Sequence, residues 1–326
     1  MTATFHNRTR RSASIPRSLL RRGRVLEVPL YYLLRASDLA REGLDHSGSH
    51  LFADHIYRGQ ASGRGPFGRW LDARLLALPA TRALRFRYCA ARDALAEFLR
   101  RRLVGPNAAG DTAATAGASG DDGLKCAAQR DSAAVDGDNA GSDPGDGLLH
   151  VLSVPCGIPR DLADAAALVR AEAGGAAGGT SARDPLARVV FHGLDLDAEV
   201  LAEARRFAAA RGLPDFRAHP GDALDRAAYP AAADFITCTG LAEFLDDGRL
   251  GELYAILFDV LRPGGLLFTS GMTRRRGSDY LLRLAEIRTH YRGEAELRRL
   301  LERLRPSEVT AARDELGIQT TLLVRK

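Results

Sequence analysis

Leu148-Leu-His-Val-Leu-Ser153-Val-Pro155-Cys156-Gly157-Ile-Pro159-Arg-Asp161-Leu162 is the stretch whose reading decides the fold. An apolar run (Leu148, Leu149, Val151, Leu152, Val154) stops at a short Pro/Cys/Gly turn, and Arg160 to Arg170 are mostly helix formers. The stretch reads as strand, tight turn and helix. In an open parallel sheet such a turn, at the carboxyl end of the first strand, meets a nucleotide-like ligand because the next helix points its free N–H groups there. Pro159 suits the first helical turn, where a missing N–H costs nothing, and Gly157 lets bare backbone approach a ligand. A packed βα loop with no ligand satisfies the same residues.

Working outward, Arg188 to Leu194 reads as a second strand tipped by Asp195, a position from which a carboxylate accepts hydrogen bonds from both ribose hydroxyls. A helix from about Ala198 to Arg211 follows, with Asp197 as its N-cap and Gly212 closing it. Phe216 to His219 is a third strand leading to Gly221-Asp222-Ala223, and Asp234 to Cys238 is a fourth. The amphipathic helix of Leu250, Leu253, Tyr254, Leu257 and Leu261 runs into Arg262-Pro263-Gly264-Gly265 and a fifth strand at Leu266 to Phe268. Helices near Ser278 to Ile287 and Glu294 to Leu304 precede two last strands, Glu308 to Arg313 and Ile318 to Val324.

The ordered series Val-Leu-Ser-Val-Pro-Cys-Gly157, Gly193-Leu194-Asp195-Leu196-Asp197, Gly221-Asp222-Ala223, Asp234-Phe235-Ile236-Thr237 and Leu261-Arg262-Pro263-Gly264-Gly265 resembles the motif ladder of class I S-adenosylmethionine-dependent methyltransferases. The resemblance covers roughly Leu148 to Lys326. It implies an α/β fold: a seven-stranded, mostly parallel Rossmann-like methyltransferase sheet with a C-terminal antiparallel hairpin and an N-terminal helical accessory region. Phe52-Ala53-Asp54, Ser62-Gly63-Arg64-Gly65-Pro66 and Arg85-Phe86-Arg87-Tyr88 look like a bacterial group of methyltransferases, some of them fused to an α/β hydrolase.

The cofactor so implied is S-adenosyl-L-methionine. Ser153, Pro155, Cys156 and Gly157 are expected to line its methionine part, Asp195 its ribose, and Asp222 with Ala223 its adenine, with Leu196 and Thr237 as further cofactor contacts; Thr237 to Gly240 are also expected to face the acceptor. Asp222 capping a turn, Asp197 capping its helix and Cys156 filling the loop are the structural alternatives. The family usually carries an acid where Ser153 stands and glycines where Pro155 and Pro159 stand. Asp161 is expected to supply the missing charge, and a catalytically degenerate protein acting through partners is the contrasting expectation.

Composition bounds the partners. The 326 residues, 45% of them hydrophobic, suffice for a large domain plus an accessory one. Of the 46 basic residues only Lys125 and Lys326 are lysine, so a net charge of +5 reflects an Arg-rich composition before it reflects nucleic acid. No Asn-Pro-Pro-Tyr-like tetrapeptide follows the fourth strand, where Thr237-Cys238-Thr239-Gly240 stands, which favours a small-molecule or lipid acceptor over a nucleic-acid base. An RNA acceptor is the alternative. A dehydrogenase is disfavoured because a full Gly-x-Gly-x-x-Gly is missing.

Residues 1 to 24 hold Arg8, Arg10, Arg11, Arg17, Arg21, Arg22 and Arg24, a basic arm expected to be solvated, with an anionic lipid surface or RNA as its alternative contacts. Residues 25 to 104 read as the helical accessory region that shapes the acceptor pocket, with a first helix over Val25 to Leu44 and a long one over Thr81 to Leu103. Ser62 to Gly68 reads as a plain turn or a phosphate-grasping loop. Residues 105 to 147, dominated by Ala, Gly and Asp, read as a disordered linker before the catalytic region 148 to 326, and Gly174 to Pro185 reads as a second insertion. His46, His50 and His55 near Asp54 lack metal-ligand spacing, so no metal is expected. Cys89, Cys126, Cys156 and Cys238 are scattered and read as reduced, cytoplasmic thiols. No apolar run is long enough to span a membrane and no signal-peptide block is present. Tyr291 reads as an interfacial core tyrosine or an acceptor contact.

Overall fold

In a computed structural model of the chain, residues 14–46, 49–103, 129–130, 147–176, 184–275 and 289–326 are described. Consecutive residues of the first catalytic strand bury themselves on opposite faces of the sheet, as the pleat requires. Val151 joins Phe191, Phe235 and helix residues Leu95, Leu99 and Leu162 in one core, whereas Leu152 and Val154 join Leu194, Ile236, Leu253 and Leu257 in another. Both faces are covered by helices, which is why the central strands read as near-continuous apolar runs.

The strands are β1 (Gln129–Arg130), β2 (Leu149–Ser153), β3 (Val189–Asp195), β4 (Phe216–Pro220), β5 (Ala233–Cys238), β6 (Leu261–Met272), β7 (Glu308–Arg313) and β8 (Gln319–Arg325). They lie side by side in the order β1-β7-β8-β6-β5-β2-β3-β4. Pairing is parallel from β4 through β3, β2 and β5 to β6 and antiparallel for β6–β8, β7–β8 and β1–β7. The seven expected strands and closing hairpin are present. The chain moves from β2 to β3 and β4 on one side and then returns to β5 on the other, so β2 and β5 flank the switch point where a ligand crevice opens. The two-residue β1 lies within the stretch expected to be a linker; residues 105–128 and 131–146 of that linker, and the helix expected near Ser278 to Ile287, fall outside the described residues.

Helices α1 (Ser14–Arg21), α2 (Glu27–Leu34), α3 (Asp38–His46), α4 (His50–Arg58) and α5 (Gly65–Leu76) form a cap, and α6 (Pro79–Leu103) joins it to the sheet. Ile15 and Leu19, one turn apart on α1, are buried in the cap core with Tyr31 and Ile56, so Ser14–Arg21 belongs to the cap and not to a free arm. The single helix expected over Val25 to Leu44 is broken at Ser37. The Ser37 hydroxyl accepts from the Ala40 N–H (3.1 Å) and donates to Asp72, and Ser37 bridges to Gly63, so it starts α3 and fastens the Ser62 to Gly68 turn. Asp72 also accepts from the backbone N–H groups of Leu39 and Ser62, each at 2.9 Å. That turn is thus anchored to α3 and α5 through Asp72.

The sheet is completed by α7 (Arg160–Ala176), α8 (Ala198–Ala210), α9 (Asp247–Val260) and α10 (Glu294–Glu302). Asp197 caps α8, its carboxylate accepting from Glu199 N–H at 2.8 Å. Tyr291 packs beside Ala83, Met272 and Ile318, an interfacial core position. The reading of all four cysteines as reduced does not hold for Cys89, which is disulfide-bonded; Cys156 and Cys238 are free and buried. No described helix is long and apolar enough to cross a membrane.

Gly193 sits where β3 passes the ligand loop. A Cβ there would lie 2.4 Å from Cys156 Sγ and 2.8 Å from Phe216 Cζ. Gly193→Ala is expected to cost about 1–3 kcal/mol, read as a lowered denaturant midpoint at unchanged m-value.

His150, His192 and His219 form a ladder across β2, β3 and β4, with ring nitrogens 3.0 and 2.9 Å apart. Burial, with His219 and His150 adding to it, pulls His192 down to about 3. The unfolded chain takes up this proton near pH 6.5 and the folded chain does not, so stability falls as pH drops from about 6.5 toward 3. Relative to His192→Leu, the parent should lose about 1.4 kcal/mol per pH unit in that window, measured by denaturant titration; parallel curves would contradict the linkage.

Candidate functional site

The turn after β2 is stitched to both neighbouring strands. Val154 N–H donates to the Thr237 carbonyl (2.9 Å) and Cys156 N–H to the Leu194 carbonyl (2.8 Å), across a cis Val154–Pro155 bond. Gly157, with φ of +50°, donates its N–H to Asp195 Oδ2 at 3.1 Å, and Asp197 N–H donates to Asp195 Oδ1 at 3.2 Å. A Cβ on Gly157 would come within 3.3 Å of His50 Cβ, so the glycine both adopts the left-handed turn and admits the cap. The Cys156 thiol is pushed well up by burial and fills the space beside Gly193, Leu201 and Ala204. It is a packing residue, not a nucleophile.

Two carboxylates face the same crevice. Asp161, in the first turn of α7, is driven up to about 6 by burial, against the pull of its own and Leu162's N–H groups and of the Thr237 hydroxyl at 3.4 Å. Asp195 is also raised, first by burial, with the Gly157 and Asp197 N–H groups opposing. Buried carboxylates that enter none of the ion pairs among the described residues are suited to ligands that bring ammonium or hydroxyl donors. Across the crevice Gly221 N–H donates to the Asp195 carbonyl (3.0 Å), and Asp222 Oδ1 accepts from Leu224 N–H (3.0 Å), so Asp222 closes its own turn while remaining at the crevice wall.

The crevice opens into a cavity of about 1500 Å³, lined at one end by Ser153, Pro155, Cys156, Gly157, Asp161, Asp195, Leu196, Asp222 and Ala223 and at the other by cap residues. That exceeds the space a single drug-sized ligand usually fills. Of the expected site residues Thr237 lies behind the wall, buried, reaching the site only through its hydroxyl on Asp161; Thr239 and Gly240 do line it.

The cap is clamped over this cavity by polar contacts distant in sequence. Arg160 donates to Asp54 (2.7 Å), His50 Nε2 lies 2.7 Å from Glu203, and Tyr88 donates to Asp164. The histidines weighed as metal ligands disperse to separate carboxylates: His46 to Glu42, His50 to Glu203 and His55 to Asp72. Inside the chamber stand Tyr57, Arg87, Tyr88 and Glu243, which sequence reasoning did not place in the site. Arg87 and Tyr88 belong to the quoted Arg85 to Tyr88 motif, which was a signal; Glu243 had none.

Residues 173–265 match a family model described as a methyltransferase domain. No curated protein matches the chain. Among solved structures, one described as a possible exported protein from Bordetella parapertussis is 21% identical, with a TM-score of 0.65 over 100% of this chain and 99% of that one. An O-methyltransferase family protein from Burkholderia thailandensis is 16% identical at a TM-score of 0.42 over 55% of this chain and 51% of its own. A dimethyltransferase of 8-amino-8-demethyl-D-riboflavin from Streptomyces davawensis is 18% identical at 0.41 over 55% and 49%. The chain spans about half the length of those last two. With its strand order and crevice, the chain carries the class I S-adenosylmethionine-dependent methyltransferase fold.

Proposed function

We propose that this chain transfers the methyl group of S-adenosylmethionine to a small-molecule or lipid acceptor held within the capped cavity. The observation that carries the reading is the continuity of that cavity, from the carboxylates of Asp161 and Asp195 to the chamber beneath the cap. The residues fit the cofactor: Asp161 suits its ammonium, restoring the charge that Ser153 lacks, and Asp195, anchored by Gly157 and Asp197, suits its ribose hydroxyls. The bound group supplies an activated methyl on a sulfonium. The protein's part is to align the acceptor and exclude water, which the clamped cap serves.

A small or lipid acceptor is favoured because the chamber walls are mostly apolar and partly aromatic (Phe52, Tyr57, Leu84, Tyr88, Phe244). The exposed stacked pair Phe67 and Trp70, with Arg74 over Trp70, is outside the cavity lining.

The test supplies methyl-labelled S-adenosylmethionine to the chain with a bacterial small-molecule and lipid extract or with total RNA. Label is expected in organic-soluble products. Label confined to RNA would replace this reading with the nucleic-acid one.

A further inference from the structure

The loop between β5 and α9 carries a buried ion pair that the cofactor end of the cavity does not require. Glu243 is 5% exposed and Arg87, on the inner face of α6, is 6% exposed. Arg87 Nη1 donates to Glu243 Oε1 at 3.2 Å and Nη2 to the Tyr57 hydroxyl at 2.8 Å. The loop is shaped around this guanidinium: Gly240 has φ of +82°, and a Cβ there would lie 3.4 Å from Arg87 Nη2.

Glu243 is also fixed from behind. His290 N–H donates to its carbonyl at 2.7 Å, and the buried Arg292 donates to the carbonyls of Ala242 (2.6 Å) and Leu245 (2.7 Å) on either side. Nevertheless Glu243 Oε2 and Arg87 Nε both have no hydrogen-bond partner among the described residues, although both atoms are buried and both residues line the cavity. A carboxylate oxygen and a guanidinium nitrogen, rigidly held, desolvated and unsatisfied in residues that line a cavity, leave one acceptor and one donor for a guest group that can both donate and accept, as a hydroxyl does.

We propose that the Arg87–Glu243 pair is the subsite for the acceptor's hydroxyl group, so that the acceptor is a neutral, mostly apolar, hydroxylated small molecule whose O–H donates to Glu243 Oε2. The proposal rests on the methyl-transfer reading only in calling this guest the acceptor. Neutrality follows from the pair's own balance. A carboxylate guest would meet Glu243, an ammonium guest would meet Arg87, and neither charge is offset at a buried site. The surrounding wall, with Tyr57 and Tyr88 stacked at 4.8 Å between ring centroids, suits an apolar body.

The probes are 2-naphthol, its methyl ether, 2-naphthoate and 2-(aminomethyl)naphthalene, titrated against the full chain by ligand-observed NMR with and without S-adenosylhomocysteine. 2-Naphthol should bind at least about tenfold more tightly than the other three, the span of one hydrogen bond to a charged group. Glu243→Gln should narrow that preference to about threefold or less. Because Glu243→Gln leaves Arg87 without a counter-charge, the paired replacement Arg87→Met with Glu243→Met is the second variant, since apolar residues of like volume often replace a buried ion pair without loss of folding. It should bind naphthol and ether equally. Tighter binding of the anion, the cation or the ether to the parent, or a naphthol preference that survives the double replacement, would overturn the subsite. If S-adenosylhomocysteine fails to bind while the naphthol preference is intact, the cofactor reading fails and the subsite stands; if it binds with no naphthol preference, the subsite fails and the cofactor reading stands.

Discussion

Asp195→Ala should weaken binding of S-adenosylhomocysteine by roughly 30- to 1000-fold, about 2–4 kcal/mol, because in the proposed cofactor seat it deletes the carboxyl group placed to accept from two ribose hydroxyls. Folding should survive. In the ligand-free protein Asp195 is a buried carboxylate raised by desolvation, and its hydrogen bonds go to two loop N–H groups, Gly157 and Asp197. Its removal relieves a desolvated charge while loosening the turn, and the two effects oppose each other. Calorimetric titration beside a thermal melt separates the outcomes: affinity lost with Tm within about 3 °C of the parent supports a ligand role, whereas a collapsed Tm assigns Asp195 to structure.

The second large effect concerns Asp161. Asp161→Ala should weaken binding of the cofactor more than Ser153→Ala does, since only Asp161 brings a charge to the ammonium. In the parent the affinity should also depend on pH. With Asp161 raised to about 6, its carboxylate is mostly ionised at pH 7 and mostly protonated at pH 5, so affinity should fall about tenfold between them. Stability of the ligand-free chain moves the other way. A carboxyl group whose folded pKa exceeds its unfolded value of 3.8 destabilises the fold as pH rises from about 4 to 6. Affinity that holds level from pH 7 to 5, or an equal loss in Ser153→Ala, would remove Asp161 from the ammonium site.

Much of the catalytic half was legible because its signals are local. The Leu148 to Leu162 stretch states strand, turn and helix within fifteen residues, Asp197 announces an N-cap, and the acid-tipped Arg188 to Leu194 run declares its own strand end. The cap was legible only as helices. Its seat on the sheet depends on Arg160–Asp54, His50–Glu203 and Arg87–Glu243, pairs 106, 153 and 156 residues apart, which no periodicity encodes. Ser37 was hidden for the same reason. Its role in ending α2 and starting α3 depends on Asp72, 35 residues on, so the apolar pattern across it read as one helix. The helix over Ser14–Arg21 was masked by its arginines, although Ile15 and Leu19 stand at i and i+4, the spacing of a buried stripe. Cys89 belongs to no spacing pattern, so its disulfide had no sequence signature.

The account turns on a cofactor seated between the Gly157 turn, Asp161 and Asp195. The most direct test is calorimetric titration of the full chain with S-adenosylmethionine and S-adenosylhomocysteine at pH 7.5. Saturable one-to-one binding of both, with a dissociation constant on the order of micromolar, is the predicted result. A folded chain that gives no binding heat and no thermal shift with either ligand would contradict it, and would mean that Ser153, Pro155 and Pro159 have closed the crevice to the cofactor.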